Sequence, residues 1–521
     1  MFSLPGFYPD QSAVHQPQSA PTALIVGAGI GGIATSIRLA AQGYQVQVFE
    51  ANPYPGGKLS EIQVGDYRFD AGPSLFTLPG QVEDLFALAG KATEAYFQYE
   101  RLPVITHYFW PDGLRLQAHA DLARFAQEVE AKTGEPGEQV LRLLRKSEEL
   151  NDITSHVFLE KSLHKLSTFL APETIRSIFQ LHRIDAFRSM HRANASYFRD
   201  PRIVQLFDRY ATYNGSDPYQ APATLNIIPH LEYNLGAYFP KGGMYQITQS
   251  LYRLALDLGV QYHLGTPVDQ ILVENGRAVG LRIGQARLAA DVVVSNADVV
   301  PTYRRLLPDQ PAPERTLRQP RSSSALIFYW GMRRSFPELD VHNIFFSDDY
   351  QEEFRYIWEK QSIFSDPTVY VNITSKRNPS DAPEGCENWF TMINVPCDQG
   401  QDWDALIPQA RSRIIDKLSH MLGTDIGPLI EAEAILEPRT IQHKTSSYLG
   451  ALYGSSSNNK FAAFLRHPNF SRKIDNLYFC GGSVHPGGGI PLSLLGARIV
   501  GDLVPQGPGT AVPQARSGVP S

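Results

Sequence analysis

Residues 22–50 read TALIVGAGIGGIATSIRLAAQGYQVQVFE, and this stretch decides the fold. Thr22 to Val26 is a short apolar run of the kind that forms a strand buried on both faces. Gly27, Gly29 and Gly32 follow it with G-x-G-x-x-G spacing, Gly31 lying between the last two. Ile33 to Ala41 predicts a helix, with Ile33, Ile37, Ala40 and Ala41 on one face and Gly43 as its stop. Gln45 to Glu50 reads as the next strand, which completes a βαβ unit of about 30 residues. Gly27 permits the tight turn, Gly29 lets the backbone approach a pyrophosphate, and Gly32 lets helix and strand pack closely. The diphosphate would sit at the helix N-terminus, where free N–H groups and the helix dipole favour negative charge. Glu50, at the end of the second strand, is placed to accept from a ribose 2′-OH. A glycine pattern alone also marks ordinary strand–turn–helix junctions. Here the strand before, the helix after and the acid at the right distance point to a dinucleotide site. The acid also argues against NADP, whose 2′-phosphate it would repel.

Outward from this unit, 521 residues suggest two or three units rather than one core. A hydrophobic content of 43% excludes a disordered chain, and 47 basic against 53 acidic residues give no reason to expect nucleic acid. Cys386, Cys397 and Cys480 have neither disulfide-framework nor zinc spacing, which fits a reducing, cytoplasmic setting with no metal centre. No apolar run approaches the roughly 18–20 residues that span a bilayer. Residues 1–21, rich in Pro, Gln and Ser, read as a loose arm without a secretory signal, and 505–521 as a similar tail.

Between these ends, Val104 to Trp110 is β-like and meets the turn Pro111-Asp112-Gly113. A helical part is expected over about 135–230, including VLRLLRKSEEL and LHKLSTFL. Lys241 to Leu258 reads as a glycine turn plus helix, and Val260 to Ile283 as strands with a hairpin at Asn275-Gly276. ALIFYWGM, NIFFS, VYVNIT and NWFTMINV form a second strand set, with one helix at Trp403 to Leu422. LYFC, a glycine-rich loop and a helix close the chain from Leu477 to Val504. The expected class is α/β: a Rossmann-like, GR2-type FAD-binding domain assembled from discontinuous segments (22–100, 234–300 and 441–504), with an inserted α+β substrate domain (101–233 and 301–440) that includes the helical part.

The choice of FAD rests on a resemblance. EANPYPGGKLS and FDAGPSLFTLP resemble the N-terminal region of the flavin amine oxidase and carotenoid desaturase superfamily. The C-terminal LRHPNFSRKIDNLYFCGGSVHPGGGIPLSLLGARIVGD is similar to the closing FAD motif of bacterial carotenoid desaturases. The resemblance implies that Gly57, Lys58 and Leu59 lie along the FAD diphosphate and that Gly72, Pro73 and Ser74 pass near the flavin. It implies that Gly481, Gly482, Ser483, Gly489, Ile490 and Pro491 run beside the ring, and that the strand around Val268 meets the adenine. Within the family, YGSSSNNKFAAFLRHPNFSRKI followed by GGSVHPGGGIP is most similar to the 1-hydroxycarotenoid 3,4-desaturase group.

That resemblance implies an FAD-dependent oxidoreductase acting on CH–CH groups, introducing C=C bonds into a lipophilic carotenoid. Phytoene desaturation is the alternative, with carotenoid isomerase and flavin amine oxidase behind it. No second G-x-G-x-x-G supplies an NAD(P)H domain, so oxygen or a quinone is the expected electron acceptor. Aromatics that could line an apolar tunnel include Tyr197, Phe198, Tyr210, Tyr213, Tyr233, Tyr238, Phe239, Phe328, Tyr329 and Trp330. No triad, carboxylate pair or metal cluster emerges, and His485, in the flavin loop, is the one candidate for acid–base work. A peripheral membrane contact is expected through the basic helical stretch Val140 to Arg202.

Overall fold

The computed structural model describes residues 20–155, 184–459 and 466–506. Its first sheet has five parallel strands in the order Leu477–Phe479, Val292–Ser295, Thr22–Val26, Gln45–Phe49 and Gln261–His263. The start, middle and end of the chain thus meet in one sheet. Alternate residues of these strands enter two different cores. Ala23, Ile25, Val46, Val48, Val292 and Val294 face the helices Ile30–Ala41, Tyr245–Asp257 and Ile490–Leu503. Leu24, Val26, Phe49, Val293, Leu477 and Phe479 face the other way, towards the antiparallel strands Gln270–Glu274, Arg277–Ile283 and Ala286–Ala289. Burial on both faces is why these strands read as continuous apolar runs rather than alternating ones.

The helix after the glycine turn begins at Ile30, three residues earlier than its apolar periodicity indicates. Gly31 and Gly32 are its first turn, and they carry no side chain for a periodic pattern to register. The hairpin is present as expected, with Asn275 at φ 50° and Gly276 at φ 75°, the left-handed pair a two-residue turn requires. Val268 departs from expectation. It lies in an irregular segment between Gln261–His263 and Gln270–Glu274, where Pro267 offers no N–H to a ladder.

The second sheet has seven strands, in the order Ile430–Leu436, Ser324–Met332, Glu387–Val395, Val369–Ile373, His342–Phe345, Val104–Phe109 and Arg115–His119. Its two faces have different roles. Leu326, Phe328, Trp330, Val371, Trp389 and Ile393 pack with Ile414 and Leu418 of the helix Trp403–Leu422. Ile327, Tyr329, Phe390, Met392, Tyr370 and His342 occupy alternate positions and face a cavity. Period-two alternation alone assigns each residue to helix or cavity.

The helical part is more broken than expected. Gly137–Thr154 is a full helix, but Met190–Asn194 and Pro201–Asp208 are short and are followed by single turns. Pro201, Pro218, Pro222 and Pro229 divide this stretch, since each removes a donor and ends the turn before it. LHKLSTFL and the basic residues Lys161, Lys165, Arg176 and Arg183 lie outside the described residues. In the described part of that stretch Arg145 pairs with Glu138, Lys146 with Glu149 at 2.9 Å, and Arg188 with Asp185 at 2.5 Å. Among the described residues no helix is long and apolar enough to cross a membrane.

Candidate functional site

One cavity of about 930 Å³ runs between the two sheets. Its first half is built on the glycine turn. Gly27, at φ 94°, donates its N–H to the Phe49 carbonyl at 2.8 Å, which closes the turn against the neighbouring strand. A Cβ on Gly32 would stand 2.1 Å from the Gly27 carbonyl oxygen, so only glycine allows helix and turn this close. Gly32 is thus a packing residue and does not reach the cavity wall, whereas Gly27, Gly29 and Gly31 do.

Glu50 is 7% exposed and held firmly. Its Oε2 accepts from the Ala28 N–H at 2.7 Å, and its Oε1 accepts from the Asn52 N–H and Nδ2 at 2.9 and 3.0 Å. These bonds orient the carboxylate towards the turn and leave acceptor capacity for a ribose hydroxyl. Asn296, at the strand-to-turn junction SNAD, is a brace that sequence reasoning registered only as an exit. Its Nδ2 donates to the Gly27 carbonyl at 3.4 Å. A Cβ on Gly31 or Gly481 would meet its Oδ1 at 2.7 or 2.8 Å.

Two features make this half fit a flavin dinucleotide. The helices Ile30–Ala41 and Ile490–Leu503 both present their N-termini to the cavity, and neither N-cap, Gly29 or Gly489, makes a side-chain capping bond. Their first N–H groups are therefore open to an anion such as a diphosphate. Gly489, at φ 107°, has nothing within 4 Å of where a Cβ would project, so the backbone stands bare against the space. Gly57, Lys58, Leu59, Gly72, Pro73, Ser74, Val268, Gly481, Gly482, Ser483, Ile490 and Pro491 complete this part of the wall. The Lys58 Nζ donates to the Leu452 and Ala451 carbonyls at 2.7 and 3.3 Å, tying the C-terminal segment to the cradle. Burial lowers its ammonium to about 8, against an opposing pull from Asp298.

The second half of the cavity is the face of the seven-stranded sheet. Tyr329 Oη donates to the Ala71 carbonyl at 2.7 Å, and Ser74 Oγ and Tyr370 Oη share a hydrogen bond of 2.8 Å. The sheet is thus pinned to the segment expected beside the flavin. Of the aromatics expected to line a tunnel, Tyr213 and Tyr329 are on the wall. Phe328 and Trp330 face the helix side, and Phe198, Tyr210, Tyr233 and Phe239 belong to a separate core. Aromatic content cannot distinguish wall from core, whereas the sheet's alternation does.

Beyond this apolar face the wall turns polar. Arg209, 5% exposed, bonds Tyr108 Oη at 2.9 Å, Tyr210 Oη at 3.0 Å and Tyr213 Oη at 3.2 Å, and pairs with Glu232 at 3.0 Å. Burial opposes its charge, but Tyr108, Tyr210, Tyr213 and Glu232 outweigh that and hold the guanidinium well above its ordinary value. His342, on the same wall, is lowered to about 3 by burial and, secondarily, by Arg209, so its imidazole is neutral.

His485 is displaced from its expected role. It is 1% exposed, its N–H donates to the His467 carbonyl at 2.9 Å, and its own carbonyl accepts from Asn469 at 2.7 Å. Its loop is fixed by these backbone bonds, and its side chain is not among those that form the cavity wall.

With this geometry in hand, the chain can be compared with known proteins. The family described as flavin containing amine oxidoreductase matches residues 30–502. A 1-hydroxycarotenoid 3,4-desaturase of Flavobacterium sp. (strain P99-3) is 50% identical over 483 residues, covering 93% of this chain and 99% of that one. A phytoene desaturase of Fusarium fujikuroi is 32% identical over 508 residues, covering 92% of this chain and 88% of that one. Among solved structures, the cyclohexylamine oxidase of Brevibacterium oxydans IH-35A superposes with a TM-score of 0.60 at 16% identity, covering 93% and 98% of the two chains, which establishes a shared fold.

Proposed function

The chain belongs to the family of flavin-containing amine oxidoreductases, and on that premise we propose that it is a carotenoid desaturase performing 3,4-desaturation of a 1-hydroxycarotenoid. It is an FAD-dependent oxidoreductase. The observation that carries the substrate reading is the continuity of the cavity: a dinucleotide cradle opens without a partition onto an apolar, aromatic sheet face. A polyene needs such a face, because it offers almost no hydrogen bonds and is held by apolar burial. When bound, FAD supplies a two-electron acceptor for hydride from one carbon while a proton leaves its neighbour, giving one new C=C bond.

The residues proposed to hold the cofactor are Gly27, Gly29, Gly31, Glu50, Gly57, Lys58, Gly72, Pro73, Ser74, Val268, Gly481, Gly482, Ser483, Gly489, Ile490 and Pro491. The two helix N-termini are proposed to meet the diphosphate, and Glu50 the ribose. Ile327, Tyr329, Phe390 and Met392 hold the polyene against the segment 71–74 and exclude water from it. The proposed domain division follows the two sheets: 22–100, 234–300 and 441–504 for the cofactor, 101–233 and 301–440 for the substrate. Oxygen or a quinone is proposed as acceptor, since the sequence offers no second dinucleotide pattern. A lipophilic substrate also supports a peripheral membrane contact.

The experiment is to express the chain with a 1-hydroxylated acyclic carotenoid or with phytoene and to read product mass and absorption. Loss of about two hydrogens per step with a red shift, on the hydroxylated substrate, is expected for dehydrogenation. An unchanged mass with both substrates would overturn the desaturase reading.

A further inference from the structure

His342 is the one feature of the cavity wall that neither cofactor binding nor polyene packing explains. It stands on the strand His342–Phe345 and is 3% exposed. Its Nδ1 is fully used, meeting Tyr370 Oη at 2.7 Å and Asn372 Nδ2 at 3.2 Å. The Asn372 amide also donates to the Val341 carbonyl at 2.9 Å, which fixes its nitrogen as the group facing the ring. An amide nitrogen only donates, so Nδ1 must be an acceptor. In a neutral imidazole the proton is then on Nε2. That Nε2 is buried and has no hydrogen-bond partner in the protein. The result is an N–H donor of known tautomer, enclosed and unmatched, on the wall of the substrate half. Leaving such a donor unmatched costs stability, and the cost is recovered when a ligand brings an acceptor.

Its location is equally specific. Tyr370, which bonds His342, also bonds Ser74 at 2.8 Å. The donor therefore lies two hydrogen bonds from the segment proposed to run beside the flavin. A hydroxyl on carbon 1 is separated from the 3,4 bond by only one intervening carbon, so a group that reads that hydroxyl has to stand this near the flavin. The charged Arg209, tied up with Glu232 and three tyrosines, disfavours protonation of the imidazole and keeps it a single-proton donor.

We propose that His342 is the specificity-determining residue of the substrate site, donating from Nε2 to the oxygen of a hydroxyl group carried by an otherwise apolar polyene. Tyr370 and Asn372 act as positioning residues that set the tautomer. The inference rests on the carotenoid reading above and adds the atom that selects within that class. Because the imidazole is neutral, the selection is flat from about pH 5 to 9.

The test uses the FAD-loaded full chain, an acyclic carotenoid with a 1-hydroxyl group, and the same carotenoid without it. Binding is followed by quenching of flavin fluorescence and turnover by product mass. The wild type is expected to bind the hydroxylated compound at least about tenfold more tightly, the scale of one buried hydrogen bond. His342→Leu should remove that preference by weakening the hydroxylated compound alone. His342→Phe, which keeps a ring stacked on Tyr370, should do the same if the leucine variant does not fold. His342→Gln, which retains a donor, should restore part of the preference. The proposal is overturned if the wild type binds both compounds alike, or if a folded variant weakens both equally or neither. A wild type that binds selectively yet returns its ligand unchanged in mass would contradict the desaturase reading and leave the assignment of His342 standing.

Discussion

Gly29 has an ordinary extended backbone, φ −67° and ψ 169°, that any residue can adopt. What it cannot accept is volume, because a Cβ would stand 2.8 Å from Asn296 Nδ2, in the space between turn and cofactor. Gly29→Val should therefore leave circular dichroism unchanged and remove bound flavin, read as yellow absorbance per chain. Glu50→Ala should weaken FAD retention and also lower stability by about 1–3 kcal/mol, since it strips the acceptor from the buried Ala28 N–H. Lys58 gives the pH dependence. Its folded value of about 8 lies below the ordinary 10.5, so between those values the unfolded chain holds more protons and cofactor-free stability rises with pH. A bound diphosphate favours the charged ammonium, so FAD affinity should fall as pH rises past about 8. Titration at stepped pH should show that fall in the wild type and its absence in Lys58→Met. Single residues were legible where chemistry depends on type and spacing, as at Gly27, Gly29 and Glu50. They were not legible where it depends on tautomer and burial: nothing in the sequence distinguishes His342 from His485, yet only the first reaches the cavity wall.

At the scale of elements, the helix Trp403–Leu422 appears with the bounds its periodicity indicates. It buries Ile414 and Leu418 against the side of the seven-stranded sheet that faces away from the cavity. Leu418→Ala should cost about 2–5 kcal/mol in denaturant unfolding while leaving flavin content unchanged, because its effect is confined to that face. Equal loss of flavin would mean the two faces are coupled. The strand set was readable for the same reason: ALIFYWGM and NWFTMINV match Ser324–Met332 and Glu387–Val395 to within a residue. Which face of each strand lines the cavity was not readable, because both faces are apolar and only pairing register separates Phe328 from Tyr329. The broken helical stretch was misjudged because prolines at 201, 218, 222 and 229 override local helical propensity.

At the scale of the whole molecule, separated parts of the chain converge on one cavity, and each part was recognisable by its glycines before their meeting was visible. A lipophilic substrate has to enter from a membrane, so the full chain is expected to float with anionic liposomes at low salt and to be released at high salt. Failure to float would leave the entry route unexplained and count against peripheral contact. The central claim is that the cradle and the polyene face form one site, so that oxidation of the substrate and reduction of the flavin are a single event. The direct measurement is anaerobic mixing of FAD-loaded enzyme with a 1-hydroxylated acyclic carotenoid, following flavin absorbance and product mass together. The account predicts that the yellow flavin absorbance is lost with one new C=C bond formed per flavin. Product without loss of flavin absorbance, or flavin that stays oxidised over an unchanged polyene, would contradict it.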